Sequence, residues 1–203
     1  MRYHEVLTGL TLGDQVVTAG AFLLNAESQF RSVLVKMLPP VSQRVTLEQL
    51  VGLAVAGRIR GVLDVYFKLS QSLADDKLDE VPSRLTALAD ATKALAEIAS
   101  EVDAGDLQAE ARKFHELVVS LGAETPKDAH DARTRFGRIS HELTKFLSAN
   151  GGKTLFGTDL YQFECGMAKV GYERWLWWSP EIHNPYMGQR MLRCGKKLDV
   201  LVP

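Results

Sequence analysis

Four consecutive stretches of helical hydrophobic periodicity constrain the fold of this chain more than any other feature of its sequence. In each stretch, apolar side chains recur at steps of three and four residues, and charged side chains occupy the opposite face. The stretches span 46–74, 81–103, 106–121 and 126–149. The pair Thr125-Pro126 is typical of a helix start and predicts where the fourth helix begins. Four such helices with short connections predict a mainly α fold, an antiparallel four-helix bundle.

The amino-terminal residues 1–30 have a different pattern, which predicts a short β piece. Two strand-like runs, at 6–7 and 15–18, are separated by a Leu-Gly-Asp turn. Two strands alone are marginally stable in water, so this segment is interpreted as the remnant of a larger β domain. A hairpin docked on the helices fits the composition equally well. Residues 31–45, which contain Pro39-Pro40, predict a linker before the helices.

The side chains with the most distinctive chemistry are concentrated between residues 161 and 195. This stretch holds both cysteines of the chain, three of its five methionines and all three of its tryptophans. We therefore expect residues 158–203 to form a small β and loop cap, rich in cysteine, methionine and aromatic side chains, on the helical part. The aromatic side chains are expected to pack the cap onto the helices, because large rings dominate small cores.

The cysteines and methionines of this cap have spacings that suggest a metal site. Cys165 and Met167 are two residues apart, which places their side chains on one side of an extended chain. Met191 and Cys194 are three apart and share a face of a helical turn. Thiolates and thioethers are soft ligands that select Cu(I) and, by the same softness, Ag(I). The predicted ligands are Cys165, Met167, Met191 and Cys194, with His183 and Met187 as weaker candidates. The metal is not expected to be required for folding.

Two other interpretations of the same cysteines stay open from the sequence. Cys165 and Cys194 close a single loop, and such a pair forms a structural disulfide in many proteins of oxidising compartments. Cysteine and methionine are also ordinary fillers of hydrophobic cores. The sequence contains no C-x-x-C motif, so a zinc ribbon or a thioredoxin-like site has little support.

Composition and motifs exclude several classes of function. The net charge is −1, with 24 basic and 25 acidic side chains, which provides no basic footprint for nucleic acid. No apolar run approaches the length of a transmembrane helix, and the first residues lack the pattern of a signal peptide. No Ser/His/Asp set, pair of catalytic carboxylates or phosphate-binding loop is recognisable, so we do not expect an enzyme.

Two parts of the sequence resemble a known family. The segments VLTGL at 6–10, GDQVV at 13–17 and FLLNAES at 22–28 resemble the end of the membrane-proximal β domain of periplasmic adaptors, the membrane fusion proteins of heavy-metal RND efflux pumps. The segments CGMA at 165–168, NPYMG at 184–188 and MLRCG at 191–195 resemble a helical domain of poorly defined function, found fused to such adaptors or alone. In that domain the first cluster usually reads Cys-Pro-Met and the last ends in Met-Leu-x-Cys-Gly.

The resemblance implies a part of a copper or silver efflux adaptor in the periplasm. Its carboxyl-terminal domain would bind or sense Cu(I) or Ag(I), and its partners would be an inner-membrane RND pump and neighbouring adaptor protomers. The sequence departs from the family at Gly166, where proline is usual, and at His183, where arginine is common.

The long helical hairpin, the lipoyl domain and most of the β domain of an adaptor have no counterpart here. We therefore expect a carboxyl-terminal piece of an adaptor, or a truncated reading frame. The alternative function is a protein–protein interaction module of the adaptor that binds no metal, with a structural Cys165–Cys194 disulfide.

Overall fold

A computed structural model describes residues 47–150 and 160–200, all within the compact unit Leu47–Pro203. Its four helices are α1 (Leu47–Ala74), α2 (Val81–Glu101), α3 (Asp106–Gly122) and α4 (Ala129–Asn150). A short 3-10 helix, Leu78–Glu80, lies between α1 and α2. The prediction of a mainly α fold is confirmed. The predicted β piece at 1–30 and the linker at 31–45 lie outside the described residues.

The hydrophobic stripes that predicted the helices are the faces that the helices bury. In α3, the buried side chains are Ala111, Phe114, Val118 and Leu121, again at steps of three and four. Each helix packs against the next one along the chain, and α1 also contacts α4. No helix among residues 47–150 and 160–200 is both long and apolar enough to cross a membrane. The finer arrangement, an antiparallel four-helix bundle, stays a prediction.

The start of α4 differs from the sequence prediction. The helix begins at Ala129, three residues after Pro126. The Asp128 side chain accepts a hydrogen bond from the Asp131 N–H at 2.8 Å, the contact that a helix N-cap makes with its third residue. The Asp131 carboxylate in turn accepts the Lys127 N–H at 3.0 Å. This local capping by two aspartates fixes the start, and the Thr-Pro pair lies in the preceding connection.

A small antiparallel sheet follows the helices, as predicted for the cap. Its strands are β1 (Tyr161–Glu164), β2 (Arg174–Trp177) and β3 (Lys196–Val200), in the order β2-β1-β3. A second 3-10 helix, Gly188–Met191, lies in the long connection between β2 and β3. The central strand β1 therefore pairs with both neighbours, and β3 returns from the far end of the chain to lie beside it.

Strand β2 packs the cap onto the helices through a buried polar contact and through aromatic rings. Tyr66 of α1 is fully buried, and its hydroxyl lies 2.8 Å from the Ser140 hydroxyl of α4. The same tyrosine oxygen accepts the N–H of Leu176 at 3.1 Å. Beside this contact, the rings of Trp177 and Phe67 meet edge to face at 5.7 Å. These contacts confirm the expectation that aromatic side chains pack the cap onto the helices.

A second contact joins the connection between β2 and β3 to the end of α1. Asp76, which follows α1 with a positive φ of 59°, accepts the Gln189 N–H at 2.9 Å. Arg133 of α4 binds the same carboxylate at 2.5 Å and also donates to the Pro185 carbonyl. Gly188 lies directly against the Asp76 carboxylate, where a Cβ would clash. The connection is therefore held on the helices through one acidic turn.

Candidate functional site

Strand register brings the two cysteines to the same end of the sheet. In the antiparallel pair, Glu164 of β1 lies opposite Lys196 of β3. Cys165 immediately follows β1, and Cys194 precedes β3 by two residues, so both cysteines lie just beyond the last paired residues of these two strands. Their Sγ atoms are 3.4 Å apart, and both thiols are free. The sequence prediction that these cysteines converge is therefore met in the structure.

Met167 joins the cysteines through a turn and not through the extended chain that we expected. The Ala168 N–H donates to the Cys165 carbonyl at 3.0 Å, which closes a turn over residues 165–168. Neither Gly166 nor Met167 has a positive φ, which fits a type I turn. The Met167 sulfur accepts the Cys194 S–H at 3.9 Å. Cys165, Cys194 and Met167 are called the sulfur site below.

The three sulfurs of this site range from buried to exposed. The Cys165 side chain is 1% exposed, Cys194 is half-buried and Met167 is 56% exposed. The hydrogen bond with Cys165, together with partial burial, raises the pKa of the Cys194 thiol. At neutral pH the Cys194 side chain is therefore held as a thiol, and a soft cation that binds there has to displace its proton.

The other predicted ligands have different surroundings. Met191 lies on the turn before Cys194, since the Cys194 N–H donates to the Met191 carbonyl at 2.9 Å. Met187 is partly buried and packs against the hydrophobic core. Both methionines belong to the connection that ends at the sulfur site, and their role as ligands stays a prediction.

His183 contacts the end of α1. Its Nε2 lies 3.0 Å from the Gln71 amide nitrogen and 3.6 Å from the Asp75 carboxylate. Its ring stacks on Trp177 at 5.4 Å with an interplanar angle of 8°. Within residues 47–150 and 160–200, no three His, Cys, Asp or Glu side chains form a group that could hold a metal ion. His183 is therefore not grouped with the two thiols, and the sulfur site consists of two thiols and one thioether.

Two residues of this site were missed by the sequence reasoning. Asn184 is fully buried, and its side-chain amide donates to the Cys194 carbonyl at 2.6 Å. Gly195 has a φ of +132°, and a Cβ there would lie 2.9 Å from the Glu164 carbonyl oxygen and 3.0 Å from the Trp175 ring. In the sequence, Asn184-Pro185 indicates only a turn, so the signal for its contact with Cys194 was absent.

Comparison with known proteins identified no relative of this chain. No protein-family model, curated protein or solved structure matches the chain. The resemblance to efflux adaptors therefore stays a prediction from the motifs quoted above, and so does the expectation that the chain is not an enzyme.

Proposed function

We propose that the cap of this chain captures Cu(I) or Ag(I) at the sulfur site, as the carboxyl-terminal part of a copper or silver efflux adaptor in the periplasm. The observation that supports this most is the convergence of three soft donors. Cys194 Sγ lies 3.4 Å from Cys165 Sγ and 3.9 Å from Met167 Sδ. Thiolate and thioether sulfur favour monovalent copper and silver over cations that prefer oxygen ligands.

The sulfur separations are close to those that a bound ion requires. With a metal–sulfur bond of about 2.3 Å, as in zinc thiolates, sulfurs around one ion lie about 3.8 Å apart in a tetrahedral site and about 4.0 Å apart in a trigonal one. The contact between Cys194 and Met167 already has this separation. The two cysteine sulfurs would move apart by about 0.5 Å on the same reckoning. Side-chain rotation supplies such a change without moving the backbone.

Met191 is the fourth donor of the proposal, with Met187 and His183 as weaker ones. We propose that the helices form an antiparallel four-helix bundle that serves as scaffold. In this arrangement, the strand register fixes the cysteines and the turn at 165–168 supplies Met167 from the solvent side. The bound ion stabilises the sulfur site alone, and the protein is folded without the metal.

Copper binding to the reduced protein tests the metal part of this proposal. We expect one Cu(I) per chain in competition with a chromogenic chelator. Cys165→Ser and Cys194→Ser should each weaken binding at least a hundredfold, and Met167→Leu about tenfold. Met37→Leu removes a thioether outside residues 158–203 and provides a matched control, for which we expect no change in affinity. Because Cu(I) displaces thiol protons, the apparent affinity should rise with pH between 6 and 8.

Two results of the copper titration would contradict binding at the sulfur site. Wild-type protein that fails to compete with the chelator, or binding that survives both serine substitutions, would remove the sulfur site as the copper ligand. If the wild type does bind Cu(I) through the cysteines, the Met191→Leu variant decides whether Met191 is the fourth donor. A drop in affinity similar to that of Met167→Leu would include it.

The adaptor part of the proposal rests on the sequence motifs and predicts a specific set of partners. Cross-linking of the chain in its native cells, followed by mass spectrometry, should recover an inner-membrane RND pump and further adaptor chains. Recovery of neither under conditions that preserve membrane complexes would contradict the adaptor role while leaving copper binding in place.

A structural disulfide is the second candidate, and the same distance favours it. Cys165 Sγ and Cys194 Sγ at 3.4 Å would have to approach by roughly 1.4 Å to reach the bond length of about 2.05 Å. With such a disulfide, the cap is part of a protein–protein interaction module of the adaptor that binds no metal. Protein purified without reductant would then be two mass units lighter than the reduced form. Reduction would lower its melting temperature, and the reduced protein would bind no Cu(I).

A further inference from the structure

Asn184 has its backbone N–H and both ends of its side-chain amide in hydrogen bonds, and its side chain is fully buried. Its backbone N–H donates to the Leu192 carbonyl at 2.9 Å. Its side-chain amide donates to the Cys194 carbonyl at 2.6 Å. Its side-chain oxygen accepts the N–H groups of Tyr186 and Met187, at 2.8 and 3.2 Å. One side chain therefore ties the beginning of this loop to its end.

The loop from 184 to 194 has little regular structure to hold its carboxyl end. It contains one short 3-10 helix, Gly188–Met191. Cys165, on the other side of the sulfur pair, is fixed differently, because its N–H donates to the Glu173 carbonyl at 3.0 Å directly beyond the paired strands β1 and β2. Of the two cysteines, Cys194 is the one whose position depends on a loop, and Asn184 binds its carbonyl directly.

We propose that Asn184 is a positioning residue that holds the Cys194 sulfur within reach of Cys165. The inference rests on the proposed function in taking the sulfur site as functional, but it applies equally to a bound ion and to a disulfide. The buried amide fixes the backbone of Cys194, and the fixed backbone limits the positions that its Sγ can reach. Loss of the amide donor leaves the fold in place and lets the two sulfurs separate.

The physical basis is the asymmetry between the two halves of the amide. An aspartate at this position has the same shape and still accepts the two N–H groups at the start of the loop. In its ionised form it has no donor for the Cys194 carbonyl, and a carboxylate oxygen takes the place of the NH2 group beside that carbonyl. Asn184→Asp therefore removes the contact with Cys194 selectively, and Asn184→Ala removes both halves.

The test uses thiol–disulfide exchange of the metal-free full chain in glutathione buffers. Two protein thiols and one glutathione disulfide give one protein disulfide and two glutathione molecules, so electrons and protons balance. The equilibrium constant reports how close the two thiols are held. We expect it to fall at least tenfold in Asn184→Asp and further in Asn184→Ala. The affinity for Cu(I) should fall by a similar factor.

Ser140→Ala is the matched control. Ser140 is also fully buried, and its hydroxyl bonds Tyr66 and the Arg174 carbonyl at the contact between cap and helices. This substitution should lower the melting temperature and leave the exchange constant within twofold of wild type. An effect of stability alone would instead move the control and the Asn184 variants together.

The outcomes separate this inference from the proposed function. A folded Asn184→Asp protein with an unchanged exchange constant overturns the positioning role. Failure of both Asn184 variants to fold also overturns it, because Asn184 would then act on the fold as a whole. If wild type binds no Cu(I) and the exchange constant still falls in both variants, the positioning role stands and the metal-binding function fails.

Discussion

Replacement of Tyr66 by phenylalanine should weaken the attachment of the cap to the helices without disturbing their packing. The hydroxyl is the only group removed, and the stacking of the ring on Phe136 at 5.2 Å remains. Two partners lose a contact, the Ser140 hydroxyl at 2.8 Å and the Leu176 N–H at 3.1 Å. Ser140 keeps its bond to the Arg174 carbonyl, whereas the fully buried Leu176 N–H loses its tyrosine acceptor.

The size of the effect follows from these two contacts. Loss of an ordinary hydrogen bond costs about 0.5–1.5 kcal/mol, and a buried N–H left without an acceptor costs about 1–3 kcal/mol. We therefore expect the free energy of unfolding to fall by about 2–4 kcal/mol. For a chain of this size, each kcal/mol lowers the melting temperature by about 2–4 °C, so the transition should move down by roughly 5–15 °C.

Urea unfolding of wild type and variant measures the difference directly. Tyr172→Phe removes the same atom from a tyrosine that is 37% exposed and packs on His141, so it should change the free energy by less than about 0.5 kcal/mol. Equal effects of the two substitutions, or a loss below 1 kcal/mol for Tyr66→Phe, would refute the role given to this hydroxyl.

Three further predictions concern pH and the two turns at the sulfur site. Burial raises the pKa of both Tyr66 and Tyr186, so the hydroxyl protons are lost from the unfolded chain at lower pH than from the folded protein. The free energy of unfolding should therefore fall above pH 10, by about 1.4 kcal/mol per pH unit for each tyrosine. A urea midpoint that stays constant between about pH 9.5 and 11.5 would contradict this. Gly195→Ala should lower the free energy of unfolding in urea by about 2–4 kcal/mol, because of backbone strain and the clash with the Glu164 carbonyl. A loss below about 1 kcal/mol would contradict this close approach. Gly166→Pro occupies the second position of a type I turn and should stabilise by about 0.4–1 kcal/mol, so a lowered melting temperature would contradict the turn assignment.

The helices could be predicted from the sequence because burial against neighbours requires a regular apolar stripe. The ends of all four agree with the structure to within three residues, and the largest difference is the start of α4. There, Thr125-Pro126 indicates a helix start, but the aspartates at 128 and 131 supply the hydrogen bonds that form one. Local capping chemistry and proline preference compete at this point, and the sequence pattern alone does not rank them.

The sulfur site was predictable in composition and only partly in geometry. The convergence of Cys165 and Cys194 follows from the pairing of β1 with β3, which joins residues more than 30 apart and leaves no periodic trace. The ring of His183, a weaker candidate ligand, lies on Trp177 beside the end of α1, a contact that its position in the sequence does not indicate. Contacts of this kind depend on tertiary packing, which residue spacing does not encode.

X-ray absorption at the copper edge of the Cu(I)-loaded, reduced protein identifies the donor atoms that bind the ion. We expect a first shell of sulfur only near about 2.3 Å, the bond length taken above from zinc thiolates, with about four scatterers if Met191 binds the ion and about three if it does not. Met167→Leu should remove one of them, and Cys165→Ser should abolish stoichiometric loading. A first shell of nitrogen or oxygen, or an unchanged sulfur shell in Cys165→Ser, would contradict a copper site built from Cys165, Cys194 and Met167.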